Sequence, residues 1–351
     1  MVKNDLLLRA ARRQRTPRTP VWFMRQAGRT DPQYVALRRS SGLELEAFFR
    51  DADLAAEASL LPRRIGVDAI ILFQDILTPL APMGAEFVFR PGPRLIGGPA
   101  SAESLKRLRP IDPADDLSYV GATLQRIHRA LDDALPVLGF AGAPFTLAAF
   151  LIEGQSPMAQ MPRTRAWMRE NPSTFHDLLG RLAHMTVDYL RYQIDQGVHA
   201  VQLFESAADL LTPEDYETFA HPYQTQVFAD LGRRAPTMLF AKDQTRLDLM
   251  VETGAHVLSI GSHVDLREAK RRFGHRVAFQ GNVDNRLVAE GSVEVIEEAV
   301  WECVAAGGCE GHILNLSHGL LKETPWDHVQ RFVRAARRAE RPRTGSTIAR
   351  V

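Results

Sequence analysis

The stretch AIILFQDILTP, residues 69–79, shows the pattern on which the fold prediction rests. Five consecutive apolar residues, 69–73, predict a short strand buried on both faces, and the carboxylate of Asp75 follows it at once. Similar short runs, bounded by Gly, Pro or polar residues, recur at 21–24, 137–141, 200–204, 237–241, 257–260, 277–280 and 313–316. Eight is the number of parallel strands that closes a barrel.

Longer stretches with helical periodicity lie between these runs, for example 172–196, 213–231, 266–273 and 293–306. No GxGxxG follows the first predicted strand, which disfavours a dinucleotide-binding sheet. The chain also contains no internal repeat and no low-complexity linker. These features predict an α/β fold, a single (β/α)₈ TIM barrel spanning 1–351. We expect N-terminal helical decoration with a short lead at 1–19, a long insertion at 78–136 and a mobile C-terminal tail at about 341–351.

Composition limits the classes of protein that the chain can represent. Hydrophobic residues make up 45% and charged residues 24%, as in an ordinary globular enzyme. The 43 Lys and Arg residues nearly balance the 42 Asp and Glu residues, so no overall field attracts nucleic acid or an anionic membrane. The sequence contains no run of ~20 apolar residues and no signal-peptide core. Cys303 and Cys309 fit neither a metal pair nor a disulfide scaffold, so we expect a cytoplasmic protein with ordinary thiols.

Polar side chains follow several of the predicted strands. In a TIM barrel the active site is built just past the C-terminal ends of the strands, so these positions are the candidates for function. The candidates are Arg25 and Arg29 after the first strand, Asp75 after the second, Phe150 in the helix after the third, Phe204 and Ser206 after the fourth, and His318 after the eighth.

Arg25 and Arg29 flank the turn Gln26-Ala27-Gly28 within TPVWFMRQAGRTDPQY, residues 19–34. A tight turn after a strand aims side chains into the barrel mouth and presents backbone N–H groups to an anion. The planar guanidinium fork matches carboxylates and keeps its charge when it is partly desolvated. The pair therefore predicts a substrate with several carboxylates. The alternative is a pair of surface arginines on the barrel rim.

The other candidates also have ordinary structural alternatives. Asp75 is either a helix N-cap or an acceptor that stabilises developing positive charge. His318 is either an exposed rim histidine or cap, or a ligand-binding group. Phe150 and Phe204 are either core aromatics or platforms for a ligand. Their joint occurrence at strand ends favours a site.

These stretches resemble the uroporphyrinogen decarboxylase family along nearly the whole chain. The matching segments are NDLLLRAA, TPVWFMRQAGR, VDAIILFQDIL, GFAGAPFTL, VQLFES, LFAKD, FQGNVD and LNLSHG. The resemblance implies a homodimer of barrels that uses no metal and no organic cofactor. It also implies a reaction, the removal of carbon dioxide from four acetate side chains of uroporphyrinogen III to give coproporphyrinogen III. That tetrapyrrole carries eight carboxylates, which agrees with the polyanion that the arginines predict.

The resemblance assigns a role to each candidate. Asp75 would accept hydrogen bonds from the pyrrole N–H groups and stabilise the cationic intermediate. Arg25, Arg29 and His318 would hold carboxylates, and Arg25 would also be a candidate for delivering the proton. The remaining contacts would be the backbone of Gln26, Ala27 and Gly28 along the pocket, Ser206 on a propionate, and Phe204 against the macrocycle.

The sequence departs from the family pattern at three places. Thr30-Asp31 stands where Tyr-Leu is usual, and a carboxylate there should weaken binding of a polyanion unless it turns outward or pairs with an arginine. Phe150 stands where a tyrosine is usual, and a lost hydrogen bond to a charged group costs about 1.5–3 kcal/mol. Gly261-Ser262 replaces an Asp-Trp pair, and we expect His263 to fill part of that space.

Two other functions remain open at this point. Corrinoid-linked methyltransferases of the same superfamily hold zinc through a His-x-Cys motif after the fifth strand, where this chain has Phe240-Ala241-Lys242-Asp243 and lacks those ligands. A protein that binds a tetrapyrrole without turnover is the other alternative, because Phe150 removes a polar contact. The joint presence of Arg25, Arg29, Asp75 and His318 favours catalysis.

Overall fold

Seven short parallel strands form the central sheet of the computed structural model, which describes residues 2–24 and 26–339. The strands are β1 Ile70–Ile71, β4 Val137–Gly142, β5 Ala200–Glu205, β6 Thr237–Ala241, β7 Val257–Ser259, β8 Ala278–Gln280 and β9 His312–Ile313. Two further strands, β2 Phe87–Val88 and β3 Arg94–Leu95, form a separate antiparallel hairpin. The order of the seven strands in space follows the chain, β1-β4-β5-β6-β7-β8-β9, so the sheet curls as a barrel does. Arg25 and the predicted tail at 341–351 lie outside the described residues.

The segment before residue 25 fills the gap between β9 and β1. The prediction of a full strand at 21–24 is wrong, because only Val21 pairs, in a single parallel bridge with Leu314. Pro20 accepts a hydrogen bond from Leu314 at 2.8 Å but has no N–H with which to extend the ladder. On the other side, Val21 O accepts from Asp68 N at 2.8 Å. The barrel is thus closed by a few backbone bonds rather than by an eighth regular strand.

Asp68 is the main anchor of this closure. Its side chain is fully buried, and its Oδ2 accepts from Val21 N at 2.8 Å and from Arg18 Nη1 at 2.6 Å. Asn4 Nδ2 donates to Oδ1 at 2.9 Å, which ties the N-terminal helix to the same carboxylate. The Arg337 guanidinium, on the last helix, lies 3.7 Å away. One carboxylate therefore joins both ends of the described chain to the first barrel strand.

A second attachment lies inside the barrel. Trp22 Nε1 donates to Gln280 Oε1 at 2.7 Å, and Gln280 Nε2 donates to Gln202 Oε1 at 3.0 Å and to the Ser259 hydroxyl. All four side chains are buried. Buried polar groups specify a unique packing when they are hydrogen-bonded. This layer therefore fixes Trp22 to the barrel interior. It also fixes the start of the loop that follows residue 24 and carries Arg29.

Helices cover the outside of the sheet, as βαβ connections require. The described α-helices are Leu6–Ala11, Pro32–Ser41, Leu45–Arg50, Ala52–Leu60, Ala102–Lys106, Pro113–Asp116, Ser118–Leu131, Pro144–Glu153, Pro162–Glu170, Pro172–Asp195, Pro213–Asp215, His221–Leu231, Leu247–Glu252, Leu266–Phe273, Asn285–Glu290, Val293–Gly307 and Trp326–Arg338. Short 3₁₀ turns occur at Leu61–Ile65, Thr78–Leu80 and Ala208–Leu210. The predicted helix 213–231 contains a π-helical turn at Tyr216–Ala220. Within the described ranges, no helix combines the length and apolarity needed to cross a membrane.

We expect Asp68→Asn to lower the free energy of unfolding by about 3–5 kcal/mol, because it removes the charge of a fully buried carboxylate that pairs with the largely buried Arg18 guanidinium. Urea denaturation followed by far-ultraviolet circular dichroism measures the change. Asp132→Asn is the matched control, since Asp132 forms an exposed pair with Lys3 and such pairs contribute about 0–1 kcal/mol. Equal stability of the two variants would contradict the anchoring role of Asp68.

Candidate active site

A cavity of about 510 Å³ lies at the mouth of the barrel. Its walls come from the C-terminal parts of β4, β5 and β6, from residues that follow β1, β4, β5 and β9, and from residues 24, 26–30 and 34. All the predicted site residues that the structure describes line it, namely Gln26, Ala27, Gly28, Arg29, Asp75, Phe150, Phe204, Ser206 and His318. A second concavity of about 620 Å³ lies among the outer helices and contains none of them. The barrel-mouth cavity is therefore the candidate active site.

The loop that carries Arg29 is fixed to the sheet by the side chain of Gln26. Gln26 Nε2 donates to Ala69 O at 2.8 Å, and Gln26 Oε1 accepts from Ile71 N at 3.4 Å. This amide thus takes the place of a neighbouring strand beside β1. Farther along, Asp31 N donates to Gly28 O at 2.9 Å and closes a turn with Arg29 at its corner. Arg25, the other predicted clamp, is outside the described residues.

Arg29 is exposed to solvent at the rim of the cavity. No carboxylate in the described part of the chain forms an ion pair with its guanidinium. A cation without an internal counter-charge at a cavity rim is available to an anionic ligand. The position of Arg29 is consistent with the predicted preference for carboxylates.

Asp75 stabilises a turn before the 3₁₀ helix Thr78–Leu80, although Leu77 and not Asp75 is the N-cap of that helix. Its Oδ1 accepts from Leu77 N at 2.9 Å, and its backbone N–H donates to Thr78 Oγ1 at 3.3 Å, so the carboxylate holds the turn that leads into the 3₁₀ helix. It also lines the cavity and is only partly buried. The turn fixes the direction of the carboxylate without removing it from the site.

A row of aromatic rings lies on one side of the cavity. The Phe140 and Phe204 centroids are 5.6 Å apart, the Phe204 and Phe240 centroids 5.7 Å, and the Phe240 and His318 centroids 5.3 Å. Each pair is close to edge-to-face, the geometry that aromatic quadrupoles favour. All four rings line the cavity, as does Phe150, which is 9% exposed. The site thus presents an apolar surface for a flat ligand, with charged groups around it.

The loop after β9 fixes the tautomer of His318. Gly319 N donates to His318 Nδ1 at 2.7 Å, so Nδ1 is the acceptor and the proton of the neutral ring is on Nε2. Asn285 Nδ2 holds the same loop by donating to Gly319 O at 2.9 Å. His318 is therefore a hydrogen-bond donor through Nε2, as a carboxylate ligand requires.

Ser206 lines the cavity, whereas the carboxyl group of the preceding residue, Glu205, is buried and does not line it. Glu205 is fully buried, accepts from Thr146 N at 2.8 Å and from Gln224 Nε2 at 3.1 Å, and also accepts from the Thr146 hydroxyl. Burial raises the pKa of Glu205 from 4.5 to about 7. The group links the end of β5, which carries Phe204 and Ser206, to the helix that carries Phe150.

Lys322 and Tyr34 are among the cavity residues that were not predicted. Lys322 lines the rim and pairs with Glu323 at 3.4 Å, but both side chains are more than 60% exposed, so the pair is weak. Tyr34, in the helix Pro32–Ser41, also lines the cavity, and burial raises the pKa of its hydroxyl. Lys322 lies four residues past His318 in an irregular loop, so no strand or helix pattern pointed to it.

The structure accounts for two of the departures from the family pattern. Asp31 does not line the cavity, because its carboxylate caps the helix Pro32–Ser41 and pairs with Arg64. A Cβ on Gly261 would lie 2.6 Å from the His263 ring, so His263 fills that space, as expected. Neither Gly261 nor His263 lines the cavity.

The position after β6 carries an ion pair. Lys242 Nζ lies 2.8 Å from Asp209 Oδ2, and neither residue lines the cavity. Across residues 2–24 and 26–339, no group of three or more His, Cys, Asp or Glu side chains is arranged to hold a metal. This position therefore carries an ammonium group paired with a carboxylate, and not the thiolate and imidazole groups that a zinc site uses.

The fold and the site define the protein as an α/β-barrel enzyme whose cavity lies at the C-terminal ends of the strands. A family model described as uroporphyrinogen decarboxylase (URO-D) matches residues 2–339. The chain therefore belongs to the uroporphyrinogen decarboxylase family. This result confirms the family and the carboxy-lyase class that the sequence motifs predict.

Similar proteins from several bacteria are named uroporphyrinogen decarboxylase. The chain is 39% identical over 343 residues to the uroporphyrinogen decarboxylase of Trichodesmium erythraeum, covering 94% of this chain and 95% of the relative. It is 40% identical over 337 residues to that of Carboxydothermus hydrogenoformans, with coverage of 94% and 95%. The match extends over nearly the full length of both proteins, so it includes every strand end that builds the cavity.

Solved structures confirm the fold. A methyltransferase from Methanosarcina mazei superposes with a TM-score of 0.79 at 19% identity, covering 96% of this chain and 99% of that one. A B12-independent methionine synthase from Shewanella has a TM-score of 0.54 at 12% identity, with coverage of 82% and 86%. At such identities the likeness establishes a shared TIM-barrel fold and nothing about the reaction.

Glu205 should make stability depend on pH. The pKa of Glu205 in the folded protein lies above its ordinary value of 4.5. The stabilisation from its bound proton is therefore fully present below pH about 4.5 and is lost as the pH rises through about 7. We expect the stability advantage of the native protein over Glu205→Gln to fall by roughly 3 kcal/mol between pH 4.5 and pH 8. Urea denaturation of both proteins across this range measures it. A difference that does not change with pH would contradict the buried, protonated carboxyl.

Proposed function

We propose that the protein removes carbon dioxide from the four acetate side chains of uroporphyrinogen III and releases coproporphyrinogen III, a step of heme biosynthesis. The observation that carries the proposal is the convergence of Asp75, Arg29 and His318 on one cavity with an aromatic wall. The substrate has an apolar ring of four pyrroles with carboxylates around its edge. An apolar surface with charged groups around it complements that distribution.

The chemistry uses the substrate as its own electron sink. Protonation of the ring carbon next to the one that bears the acetate makes the pyrrole iminium-like and leaves the acetate-bearing carbon electron-poor. The bond between the acetate methylene and its carboxylate then breaks, its electron pair returns to the ring, and carbon dioxide leaves. A proton taken up at the methylene gives the methyl group, and the ring carbon loses the proton it gained. Each cycle thus consumes one proton for each carbon dioxide released.

Asp75 stabilises the cationic ring in this scheme. Its carboxylate would accept the pyrrole N–H groups, which become more acidic when the ring is protonated, so the interaction is stronger in the transition state than in the ground state. The turn with Leu77 and Thr78 keeps the carboxylate in place before the substrate arrives. Such preorganisation removes the need to reorient a carboxylate during the reaction.

The substrate carboxylates would bind to the groups at the rim. Arg29 and Lys322 supply positive charge, His318 donates through Nε2, and Ser206 offers a hydroxyl to a propionate. We assign Arg25 to the same set, with proton delivery as a further role, on the family resemblance alone. Phe204 and its aromatic neighbours would pack against the macrocycle, with the backbone of residues 26–28 along its edge.

We also propose that the enzyme acts in the cytoplasm as a homodimer and needs no cofactor. The family resemblance supports the dimer, and the pyrrole electron sink makes an organic cofactor unnecessary for the reaction as written. A tetrapyrrole-binding protein without turnover is the second candidate function, and the observation that favours it is Phe150, which lines the cavity without a hydroxyl.

We expect Asp75→Asn to abolish turnover, because the amide keeps the turn to Leu77 but cannot neutralise a cationic ring. Purified protein is incubated anaerobically with uroporphyrinogen III, the products are oxidised, and their carboxyl groups are counted by chromatography. The native protein should give four-carboxyl product without added metal or cofactor. Bound but unchanged eight-carboxyl material would indicate a binder, and normal turnover by Asp75→Asn would disprove the role of Asp75.

We expect Phe150→Tyr to raise kcat/KM for uroporphyrinogen up to about tenfold, because it restores a donor for a charged acceptor. Steady-state kinetics measures the change. Phe87→Tyr is the matched control, since the Phe87 ring packs edge-to-face on Phe150 but does not line the cavity. An equal gain in both variants, or a loss at Phe150 alone, would show that the hydroxyl does not meet the substrate.

A further inference from the structure

Three of the proposed carboxylate ligands lie on two loops that are far apart in sequence. Arg29 occupies the corner of the turn closed by the bond from Asp31 N to Gly28 O. His318 and Lys322 lie on the loop that leads into the last helix, which begins at Trp326. Ligands on separate loops can clamp one substrate only if the distance between the loops is fixed.

Asp31, two residues after Arg29, provides an anchor. Its side chain is fully buried, and its Oδ1 accepts from Gln33 N at 2.9 Å and from Arg64 Nη2. Its Oδ2 is also buried and has no hydrogen-bond partner in the described part of the chain. The buried charge is thus balanced chiefly by one guanidinium, and the loop cannot shift without separating the two.

Arg64 reaches the other loop with the same guanidinium. Its Nη1 donates to Leu61 O at 2.7 Å, which fixes the side chain to its own 3₁₀ turn. Its Cζ lies 4.7 Å from the centre of the Trp326 ring, within the range of a cation–π interaction. The guanidinium therefore contacts the residue that follows the Arg29 turn and the residue at which the His318 loop ends.

We propose that Asp31, Arg64 and Trp326 form a clasp that sets the distance between the Arg29 loop and the His318 loop, and that Arg64 is a positioning residue for substrate carboxylates. This inference rests on the proposed function of the same cavity. It explains the unexpected carboxylate at position 31, which serves the clasp rather than the substrate. Planarity matters, because an arginine can pair with a carboxylate at its edge while its face covers an indole.

Arg63 supplies a matched control for this role. It is next to Arg64 on the same 3₁₀ turn, but its Nη1 donates to Ala130 O at 3.3 Å, near the C-terminal end of the helix Ser118–Leu131. Within the described part of the chain, this hydrogen bond involves neither of the two loops. Loss of Arg63 therefore removes a cation and a hydrogen bond of the same turn without opening the clasp.

The test compares Arg64→Met with Arg63→Met in steady-state decarboxylation of uroporphyrinogen. We expect Arg64→Met to raise KM by about three- to tenfold with kcat within a factor of two of the native value, and Arg63→Met to leave KM unchanged. Arg64→Lys should fall between, because it keeps the charge but loses the planar contact with Trp326. Equal KM values for Arg64→Met and Arg63→Met would overturn the proposal.

The double variant Asp31→Asn/Arg64→Met keeps the experiment informative if the single arginine variant does not fold. Asparagine retains the helix cap, and the pair of changes leaves no buried charge unbalanced. In a shared clasp, adding Asp31→Asn to Arg64→Met should change KM by less than a factor of two. If the two effects on KM multiply as independent changes do, the clasp does not exist.

Hydrogen exchange without substrate separates failure of the clasp from failure of the proposed function. Arg64→Met should speed amide exchange in both loops, residues 27–33 and 318–325, whereas Arg63→Met should not. Faster exchange in neither loop, or in one loop only, would overturn the clasp. A native protein that leaves uroporphyrinogen unchanged would instead refute the proposed function, with the exchange result still deciding on the clasp.

Discussion

The structure depends on the closure of the barrel between Val21 and Asp68. Asp68 donates its backbone N–H to Val21 O and accepts the Val21 N–H with its side chain, so one residue satisfies both backbone polar groups of Val21, in a segment that forms no regular strand. The loop after residue 24 starts from this attachment. The same carboxylate also binds Arg18 and Asn4, so the closure and the folding of the N-terminal lead are coupled.

The second organising principle is the separation of charge around the mouth of a nearly neutral chain. Carboxylates on the surrounding loops are occupied elsewhere, since Asp31 pairs with Arg64 and Asp209 with Lys242. Glu205 is buried with a pKa of about 7, so it carries only part of a charge near neutrality. Arg29 and Lys322 remain at the rim. The rim thus carries positive side chains in a nearly neutral protein, while Asp75 provides the carboxylate that lines the cavity.

Much of the fold could be predicted because the barrel strands are largely apolar, as burial on both faces requires. The exception, residues 21–24, is equally apolar, but it follows Pro20, which has no N–H for the ladder, and Val21 N pairs with an aspartate side chain, which no hydrophobic pattern encodes. The cavity residues were predictable where they follow strands directly, as Asp75 and Ser206 do. Lys322 and the Asp31–Arg64 pair were not, since their positions depend on irregular loops and on contacts between distant segments.

Gln26 illustrates a different kind of requirement. Its side-chain amide donates to the Ala69 carbonyl and accepts from the Ile71 amide, so it reproduces both halves of a peptide group at the edge of a sheet. Only a side chain with a donor and an acceptor on one planar group can do this at that length, which leaves glutamine as the natural choice and makes glutamate a poor isostere. Recognition here depends on the polarity of an uncharged group. The loop that carries Arg29 is therefore held in place by an uncharged side-chain amide that forms the hydrogen bonds of a backbone peptide group.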